Sequence, residues 1–394
     1  MKRCVFNAHL LFFVPIILPV ILLVAVYLVV VLPPFPALEA YTRRPAAVEI
    51  LDRSNVKLYV APLEEGMRRQ HRSLEQIPAD LQRIFILAED KRFNFHPGID
   101  PVALTRSALS FFRSGEVVSG ASTITMQLAR MIVDAQDPRR KGLLVRKLTE
   151  IAAALRIEAR LGKDRILELW LNGLPFGYQT EGVAAAARRF FDSDLYSLTT
   201  TQVLSLALIP RNPEAYNPVR NPERAAAGVL RLAEELGIVL DVEVVNREVA
   251  GAHWGAWPDE APHFSRMCAA AAEREGASGR VRTTLDLGLQ QTAEQLLYVR
   301  LAEHEESRIR NGSVLAVDNM TGAILAYVGS QWFAADDGGQ IDGVRVRNQP
   351  GSAIKPFLYA YALERGYAPN DVIADIPTDY GSSAVYVPRN FDRS

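Results

Sequence analysis

The chain has 394 residues, enough for two or three domains of ordinary size. Its formal net charge is -1, with 44 Lys and Arg residues against 45 Asp and Glu, which argues against nucleic acid as a partner. The two cysteines, Cys4 and Cys268, lie on opposite sides of the apolar segment described next. If that segment spans a bilayer, a disulfide between them is excluded.

Residues 10–32 form an uncharged segment rich in Leu, Ile, Val and Phe. The segment exceeds the roughly 20 residues that cross a bilayer, and Lys2 and Arg3 before it place residues 1–9 in the cytoplasm. A cleavable signal peptide is the alternative, but the run is long for one and ends without a small-x-small site. We therefore expect a single-pass signal anchor in the inner membrane, with the remaining chain periplasmic and residues 33–73 as a membrane-proximal connector.

Apolar residues recur at helical spacing over residues 81–88 and predict an amphipathic helix that ends at Glu89 and Asp90. The chain then turns through Phe93, His96 and a Pro-Gly pair. A carboxylate at this position borders an apolar wall and an open cleft, which is a setting for acid–base catalysis. The alternative is a solvated helix end followed by a turn, and this segment alone does not separate the two.

Hydroxyl and amide side chains cluster after Gly120, where a second apolar-periodic helix begins. A helix N-cap needs one Ser or Thr, and Ser122 would be enough. That leaves Thr123, Thr125 and Gln127 available to hold sugar hydroxyls or phosphate oxygens near the helix N-terminus.

Three further segments are each weak alone. Arg146 and Lys147 precede Glu150 at helical spacing, so the three side chains share a helix face. A surface ion-pair ladder is the alternative reading of that pattern. The other two segments are residues 163–172 and residues 207–218.

In this order and at these separations, the five segments resemble the motif series of the peptidoglycan glycosyltransferases of family 51. These form the membrane-proximal domain of the class A, bifunctional penicillin-binding proteins. Met126, where many members have a second glutamine, makes the chain most similar to the 1C type, and Trp170 stands where a tyrosine is more usual. The resemblance covers roughly residues 74–218 and implies a mainly α, lysozyme-like glycosyltransferase domain, which we place at residues 74–236.

The resemblance also implies a reaction. Glu89 would act as general base on the 4-hydroxyl of lipid II, which attacks the anomeric carbon of the nascent glycan strand, forms a β-1,4 linkage and releases undecaprenyl pyrophosphate. Arg146 and Lys147, with Lys163 or Arg130, would supply cations for the phosphates, and Glu150 would orient substrate or hold those cations. The implied substrate-binding residues are Asp90, Phe93, His96, Ser122, Thr123, Gln127, Arg130, Arg146, Lys147, Lys163, Glu168 and Asn172.

Cofactors and partners follow from the same resemblance. A divalent cation, Mg²⁺ or Mn²⁺, could assist the phosphates. The sequence has no His or Cys cluster with metal-ligand spacing, so any such ion would be held loosely by phosphate and carboxylate oxygens. His96 is expected to fix its loop by hydrogen bonding and not to bind a metal. Besides lipid II, the glycan strand and the membrane, cell-wall synthesis proteins are the partners implied.

Beyond residue 218 the composition changes, and we expect a linker at residues 237–280 followed by an incomplete α/β transpeptidase domain at residues 281–394. Two β-rich runs on either side of Asn319-Met320-Thr321 predict a hairpin. Ser352 and Lys355 then form an S-x-x-K pattern flanked by Pro-Gly and Pro-Phe, which resembles the penicillin-binding transpeptidases, where the serine is acylated and the lysine helps to remove its proton.

No lysine and no S-x-N triplet follows Lys355 in these 394 residues. We therefore expect this chain neither to crosslink peptides nor to bind penicillin covalently with normal efficiency. Two other functions stay open. Glu89 and Glu150 could serve as the carboxylate pair of a glycan-cleaving, lysozyme-like enzyme, or the chain could be a non-catalytic membrane-tethered scaffold.

Overall fold

The computed structural model of the protein describes residues 27–63, 66–106, 122–135, 142–304, 306, 309–336, 338–347, 349–374, 376–379, 381 and 387. It divides into a large unit that ends at Val344 and a smaller unit that begins at Arg345. Most of the predicted membrane-spanning segment lies outside the described residues. Within the described part of the chain, no helix has both the length and the apolar character needed to cross a bilayer.

Among the described residues between 74 and 236, helices dominate, as predicted. The α-helices named below are α1 (Pro36–Thr42), α2 (Ala79–Glu89), α3 (Ile124–Asp134), α4 (Leu143–Glu158), α5 (Lys163–Gly173), α6 (Val183–Phe191), α7 (Thr200–Leu208), α8 (Pro222–Leu236), α9 (Val242–Ala250), α10 (Pro262–Arg274), α11 (Leu287–Glu303) and α12 (Lys355–Glu364). Short 3₁₀ turns occur at Leu74–Gln76, Phe93–Phe95, Ile209–Arg211 and Gly351–Ile354.

The strands are short and form three small sheets. They are β1 (Glu49–Leu51), β2 (Lys57–Val60), β3 (Arg68–Arg69), β4 (Pro175–Gly177), β5 (Thr180–Glu181), β6 (Arg280–Arg282), β7 (Val314–Val317) and β8 (Ile324–Val328). Their orders are β2-β1-β6, β3-β5-β4 and β7-β8. Strand β1 pairs antiparallel with β2 and parallel with β6, so residues far apart in sequence share one sheet.

The main hydrophobic core lies among the helices. Helix α2 contributes Leu81, Ile84 and Phe85, whose spacing puts them on one face, and the Phe85 ring packs edge-on against Trp170 of α5. Trp170 is completely buried. This packing fixes the end of α2, where Glu89 lies, against the middle of α5.

The predicted connector at residues 33–73 is folded structure. Helix α1 buries Leu38 and Tyr41 in the main core, and β1, β2 and β3 follow it. The predicted linker at residues 237–280 likewise contains two helices, α9 and α10. Val245 and Val249 of α9 pack in the main core, and Phe264 of α10 packs in a second core. The second core lies between α10 and the β2-β1-β6 sheet.

The predicted hairpin is present. Strands β7 and β8 pair antiparallel, and the Asp318 carboxylate accepts hydrogen bonds from the backbone N–H groups of Met320 and Thr321. Gly322 completes the turn with a φ of 73°. In the smaller unit, α12 follows the 3₁₀ turn Gly351–Ile354.

Candidate active site

A cleft of about 260 Å³ opens where α2, α3, α5 and the 3₁₀ turn at Ile209–Arg211 meet. Its lining combines apolar side chains with a few charged, hydroxyl and amide groups, a composition typical of ligand sites. The lining residues are Phe85, Glu89, Ser122, Gln127, Arg130, Met131, Trp170, Leu174, Pro175, Ala207, Pro210 and Arg211. Four of the sequence-predicted site residues, Glu89, Ser122, Gln127 and Arg130, therefore share one cavity.

Glu89 is the last residue of α2, as the sequence predicted, and its side chain is 17% exposed. Its Oε1 accepts a hydrogen bond from Arg211 Nε at 2.7 Å, and its Oε2 accepts one from Gln127 Nε2 at 2.7 Å. Both donors hold the carboxylate in a fixed position. Each carboxylate oxygen has two acceptor sites, so each retains one that can receive a further donor from the cleft.

The orientation of Gln127 is set by Trp170. The indole Nε1 of Trp170 donates to Gln127 Oε1 at 3.1 Å, so the amide oxygen faces α5 and the NH₂ group faces Glu89. An indole N–H can only donate, and this excludes the flipped amide. The buried tryptophan thus controls which Gln127 group meets the carboxylate.

Three cations surround Glu150, which is only 2% exposed. Its carboxylate accepts from Arg130 Nε at 2.7 Å, pairs with Lys147 Nζ at 3.2 Å, and lies 3.4 Å from Arg146 Nε. Burial alone would raise the pKa of Glu150, but the hydrogen bond and charge of Arg130, together with Lys147, bring the pKa below its ordinary value. The same contact with Glu150 raises the pKa of Arg130. Glu150 therefore remains an anion that holds cations.

The cation cluster reaches the cleft in two places. Arg130 lines the cleft directly, and Lys147 Nζ donates to Ser122 Oγ, a second lining residue, at 2.9 Å. The ion pairs of the surface-ladder alternative are present, but the carboxylate that they share is buried, so they are not a fully solvated ladder.

The helix cap differs from the expected one. Thr123, not Ser122, caps α3, since its Oγ1 accepts from the N–H of Met126 at 3.1 Å. The Thr123 hydroxyl in turn donates to the carbonyl of Gly98 at 2.6 Å. Thr123 is 2% exposed, so it ties the 93–98 loop to α3 and leaves Ser122 to the cleft.

Asp90 and His96 lock the same loop. His96 Nε2 lies 3.0 Å from Asp90 Oδ2, and that carboxylate oxygen also accepts from the N–H of Ile124 at 3.0 Å. Both side chains are buried. His96 thus fixes its loop by hydrogen bonding, as predicted, and Asp90 joins the end of α2 to the start of α3.

Phe93 and Lys163 also belong to this support. Phe93 is buried, and Lys163 Nζ lies 4.5 Å from the centre of its ring. The same ammonium donates to the His96 carbonyl at 2.8 Å and pairs with Glu158 at 2.6 Å. The expectation that Lys163 supplies a cation for the phosphates does not agree with its position, since its ammonium contacts the His96 carbonyl and the Glu158 carboxylate and does not line the cleft.

Glu168 and Asn172 lie apart from the cleft lining. The Asn172 amide binds both the N–H and the carbonyl of Arg72 at 2.8 Å. Glu168 Oε2 accepts from the N–H of Leu74 at 3.1 Å. Both side chains of α5 fix the chain that leads into α2, which differs from the substrate contacts expected of them.

Sequence reasoning assigned no role to Arg211 and treated Trp170 as a variation. Arg211 belongs to the segment at residues 207–218. Its place between two prolines, Pro210 and Pro213, is the sequence feature that could have indicated a side chain held in a fixed position. Its contact with Glu89 joins residues that are 122 positions apart, and no local pattern predicts that.

In the smaller unit, Ser352 lies in the 3₁₀ turn and Lys355 begins α12. The Lys355 backbone N–H donates to the Ser352 carbonyl, and both residues are exposed. Among the described residues there is no side-chain hydrogen bond between them. The transpeptidase role of this pair stays a prediction.

Two protein-family models match the chain. The model described as transglycosylase matches residues 57–236, and the penicillin binding protein transpeptidase domain model matches residues 312–393. Among curated proteins, penicillin-binding protein 1C of Escherichia coli is 33% identical over 83% of this chain and 42% of its own length. The chain belongs to the class A penicillin-binding proteins.

Other class A penicillin-binding proteins resemble the chain in the same way. Penicillin-binding protein 1F of Bacillus subtilis is 29% identical over 82% of this chain and 46% of its own length. The match to the solved penicillin-binding protein 1A of Haemophilus influenzae covers 89% of this chain and 57% of that one, at 16% identity and a TM-score of 0.45. The chain thus spans less than half the length of penicillin-binding proteins 1C of Escherichia coli and 1F of Bacillus subtilis.

Proposed function

We propose that the protein is a peptidoglycan glycosyltransferase that polymerises lipid II into β-1,4 glycan strands. The observation that carries this proposal is the Glu89 carboxylate in a cleft whose lining also includes Arg130 of the cation cluster. A reaction that deprotonates a hydroxyl and expels a pyrophosphate needs a base and cations within the same cavity.

In this proposal Glu89 is the general base. The carboxylate is held in place by Arg211 and Gln127 and keeps acceptor sites that face the cleft. The 4-hydroxyl of lipid II donates its proton to Glu89 as its oxygen attacks the anomeric carbon of the growing strand. Fixing the base before the substrate arrives avoids reorganisation during the reaction.

Arg130, Lys147 and Arg146 stabilise the departing pyrophosphate. Their charges converge on the single carboxylate of Glu150, so the cluster has net positive charge. Guanidinium and ammonium groups held in this way can share their remaining donors with phosphate oxygens. A divalent cation, Mg²⁺ or Mn²⁺, held loosely by the phosphates and by carboxylate oxygens, would add further positive charge.

Glycan cleavage by a Glu89–Glu150 pair is less well supported. A glycosidase needs one carboxyl group that is protonated near neutral pH. The pKa of Glu150 is lowered by its Arg130 and Lys147 contacts, and no excess of cations is needed where no pyrophosphate leaves. The scaffold alternative predicts no reaction at all, so one assay separates the three.

The membrane assignment is part of the proposal. Residues 10–32 serve as a signal anchor that holds the catalytic unit at the periplasmic face of the cytoplasmic membrane, near its lipid-linked substrate. Cell-wall synthesis proteins are the further partners that this location offers.

The test compares the full chain with Glu89→Gln on two substrates, fluorescent lipid II and finished glycan strands. We expect polymer from lipid II, no cleavage of strands, and a rate loss of roughly 10²- to 10⁴-fold in the variant. Glu75→Gln is the matched control, because Glu75 is an exposed glutamate outside the cleft lining. Circular dichroism of both variants verifies that they are folded. Cleavage of strands would support the hydrolase, and equal rates for Glu89→Gln and wild type would refute the proposed base.

A further inference from the structure

A second cavity, of about 540 Å³, is lined by other residues of α5 than the cleft is. We call it the arginine pocket. It is lined by Tyr41, Thr42, Arg43, Arg44, Ala46, Arg69, His71, Arg165, Leu169, Asn172, Ser278, Gly279 and Arg280. It combines the end of α1 with α5 and the residues before β6, and it shares no lining residue with the cleft around Glu89.

The arginine pocket has an excess of positive charge. Five of its lining residues are arginines, and none is Asp or Glu. Glu181 pairs with Arg44 at 2.8 Å and with Arg69 at 2.5 Å, while Glu168 pairs with Arg165. Within the described part of the chain, Arg43 and Arg280 have no ion-pair partner. Two carboxylates thus face five guanidinium groups.

Several guanidinium donors in the pocket are also unused. The Nε–H groups of Arg44 and Arg69 are buried and have no hydrogen-bond partner among the described residues. Arg44 is held in place by its stacking on the Tyr41 ring at 3.6 Å, and Arg69 by a hydrogen bond to the Pro45 carbonyl at 2.9 Å. A buried donor without a partner costs free energy, which an acceptor-rich ligand would recover.

We infer that the arginine pocket binds a phosphate-bearing ligand. Guanidinium forks match the oxygens of a phosphate, and several of them outweigh the two local carboxylates. The volume exceeds what a bare phosphate fills, so it has room for a headgroup attached to that phosphate. Two sources offer this chemistry: an anionic phospholipid headgroup or a free pyrophosphate.

The position of the pocket favours the lipid. Arg43 and Arg44 lie about a dozen residues beyond the predicted anchor at residues 10–32. Arg156 and Arg160 of the α4 end bind the carbonyls of residues 31, 33 and 34, which keeps this stretch of chain against the folded unit. The choice of a lipid as the ligand rests on the membrane orientation given under the proposed function. The inference that the ligand carries a phosphate does not.

Calorimetry on the full chain in non-ionic detergent tests the inference. The titrants are inorganic pyrophosphate, dihexanoyl phosphatidylglycerol and dihexanoyl phosphatidylcholine. We expect wild type to bind phosphatidylglycerol and not the zwitterionic phosphatidylcholine. The Arg43→Gln/Arg280→Gln variant should bind at least tenfold more weakly. Both side chains are exposed and unpaired among the described residues, so the variant should fold.

The control is Arg231→Gln/Arg300→Gln, which removes the same charge from exposed positions outside the pocket. Binding of pyrophosphate alone would support the phosphate site and assign it to a soluble anion. Absence of binding to both anions, or equal affinity in the two double variants, would overturn it. Lipid II polymerisation by Arg43→Gln/Arg280→Gln in detergent should equal that of wild type. A wild-type chain that binds phosphatidylglycerol but makes no polymer would defeat the proposed function and leave this site standing.

Discussion

Arg211 binds Glu89 and the backbone beside it: its Nε donates to Glu89 Oε1 at 2.7 Å while its Nη2 donates to the Ala88 carbonyl at 2.6 Å. The side chain thus grips the C-terminal end of α2 at two points. A planar guanidinium can satisfy two acceptors at fixed geometry, which a lysine ammonium cannot reproduce. Arg211 is therefore a positioning residue for the proposed base.

Replacing Arg211 should reduce polymerisation without unfolding the protein. We expect Arg211→Gln to lower the rate by about tenfold or more, since a small misplacement of a catalytic group is costly. Arg211→Lys should retain an intermediate rate, because it keeps the charge but only one contact. Initial rates with lipid II measure both. A wild-type rate in Arg211→Gln would show that Gln127 alone positions the carboxylate.

The Trp170 indole should influence the rate through Gln127. In Trp170→Phe the amide loses the donor that fixes its orientation, and we expect a rate loss of several fold with a stability loss of roughly 1–2 kcal/mol. Trp254→Phe is the matched control, because Trp254 packs against Tyr178 and Phe190 and does not line the cleft. Equal rate losses in the two variants would mean that general loosening, and not amide orientation, is responsible.

Glu150 should stabilise the fold in a pH-dependent way. Its pKa lies below the ordinary value of 4.5, so its contribution is complete above that pH and is lost as the pH falls through the lowered value. We expect Glu150→Gln to cost roughly 1–3 kcal/mol at pH 7, and the difference from wild type to shrink in acid. Urea unfolding of wild type and variant at pH 7 and at a series of acid pH values measures this difference. Glu303→Gln, at an exposed pair with Arg300, should have almost no effect at either pH. A Glu150→Gln difference that stays unchanged as the pH is lowered stepwise from 4.5 to the acid limit of the folded protein would contradict the assignment.

Asp90 should matter more for stability than its position next to Glu89 suggests. Asp90→Ala leaves the Ile124 N–H and His96 Nε2 without their acceptor, at a cost of roughly 2–4 kcal/mol. Asp90→Asn retains one oxygen acceptor and should cost less. Urea midpoints and lipid II rates, measured on both variants, test this order. An alanine variant as stable as the asparagine variant would show that solvent replaces the carboxylate.

Local patterns predicted the parts of the site that lie on single elements. The end of α2 at Glu89 and the shared face of Arg146, Lys147 and Glu150 follow from helical spacing, while the cap of α3 lies one residue later than predicted. The local sequence patterns could not distinguish residues that contact the substrate from residues that hold the site in place. Lys163, Glu168 and Asn172 are polar residues in a recognised segment, yet their donors and acceptors meet backbone groups of other loops, which only the packed structure reveals.

The boundaries of the fold were also beyond local reasoning. Residues 33–73 and 237–280 have little repetitive character, and the sequence predicts a connector and a linker there. Strand β1 of the first region pairs with β6, which begins at the last residue of the second, and that contact spans more than two hundred residues of sequence. Long-range pairing of such short strands leaves no periodic signal.

Helix α4 works as a spacer of fixed length. Its first turns hold Arg146, Lys147 and Glu150, and the guanidiniums of Arg156, near its end, and Arg160, just past it, are bonded to the chain at residues 31–34. About ten residues separate these two ends, or about 15 Å of rigid helix. In the proposed orientation this rod sets how high above the bilayer the phosphates are released. Inserting one helical turn would lift the cations away from a substrate whose reach is limited by its lipid tail.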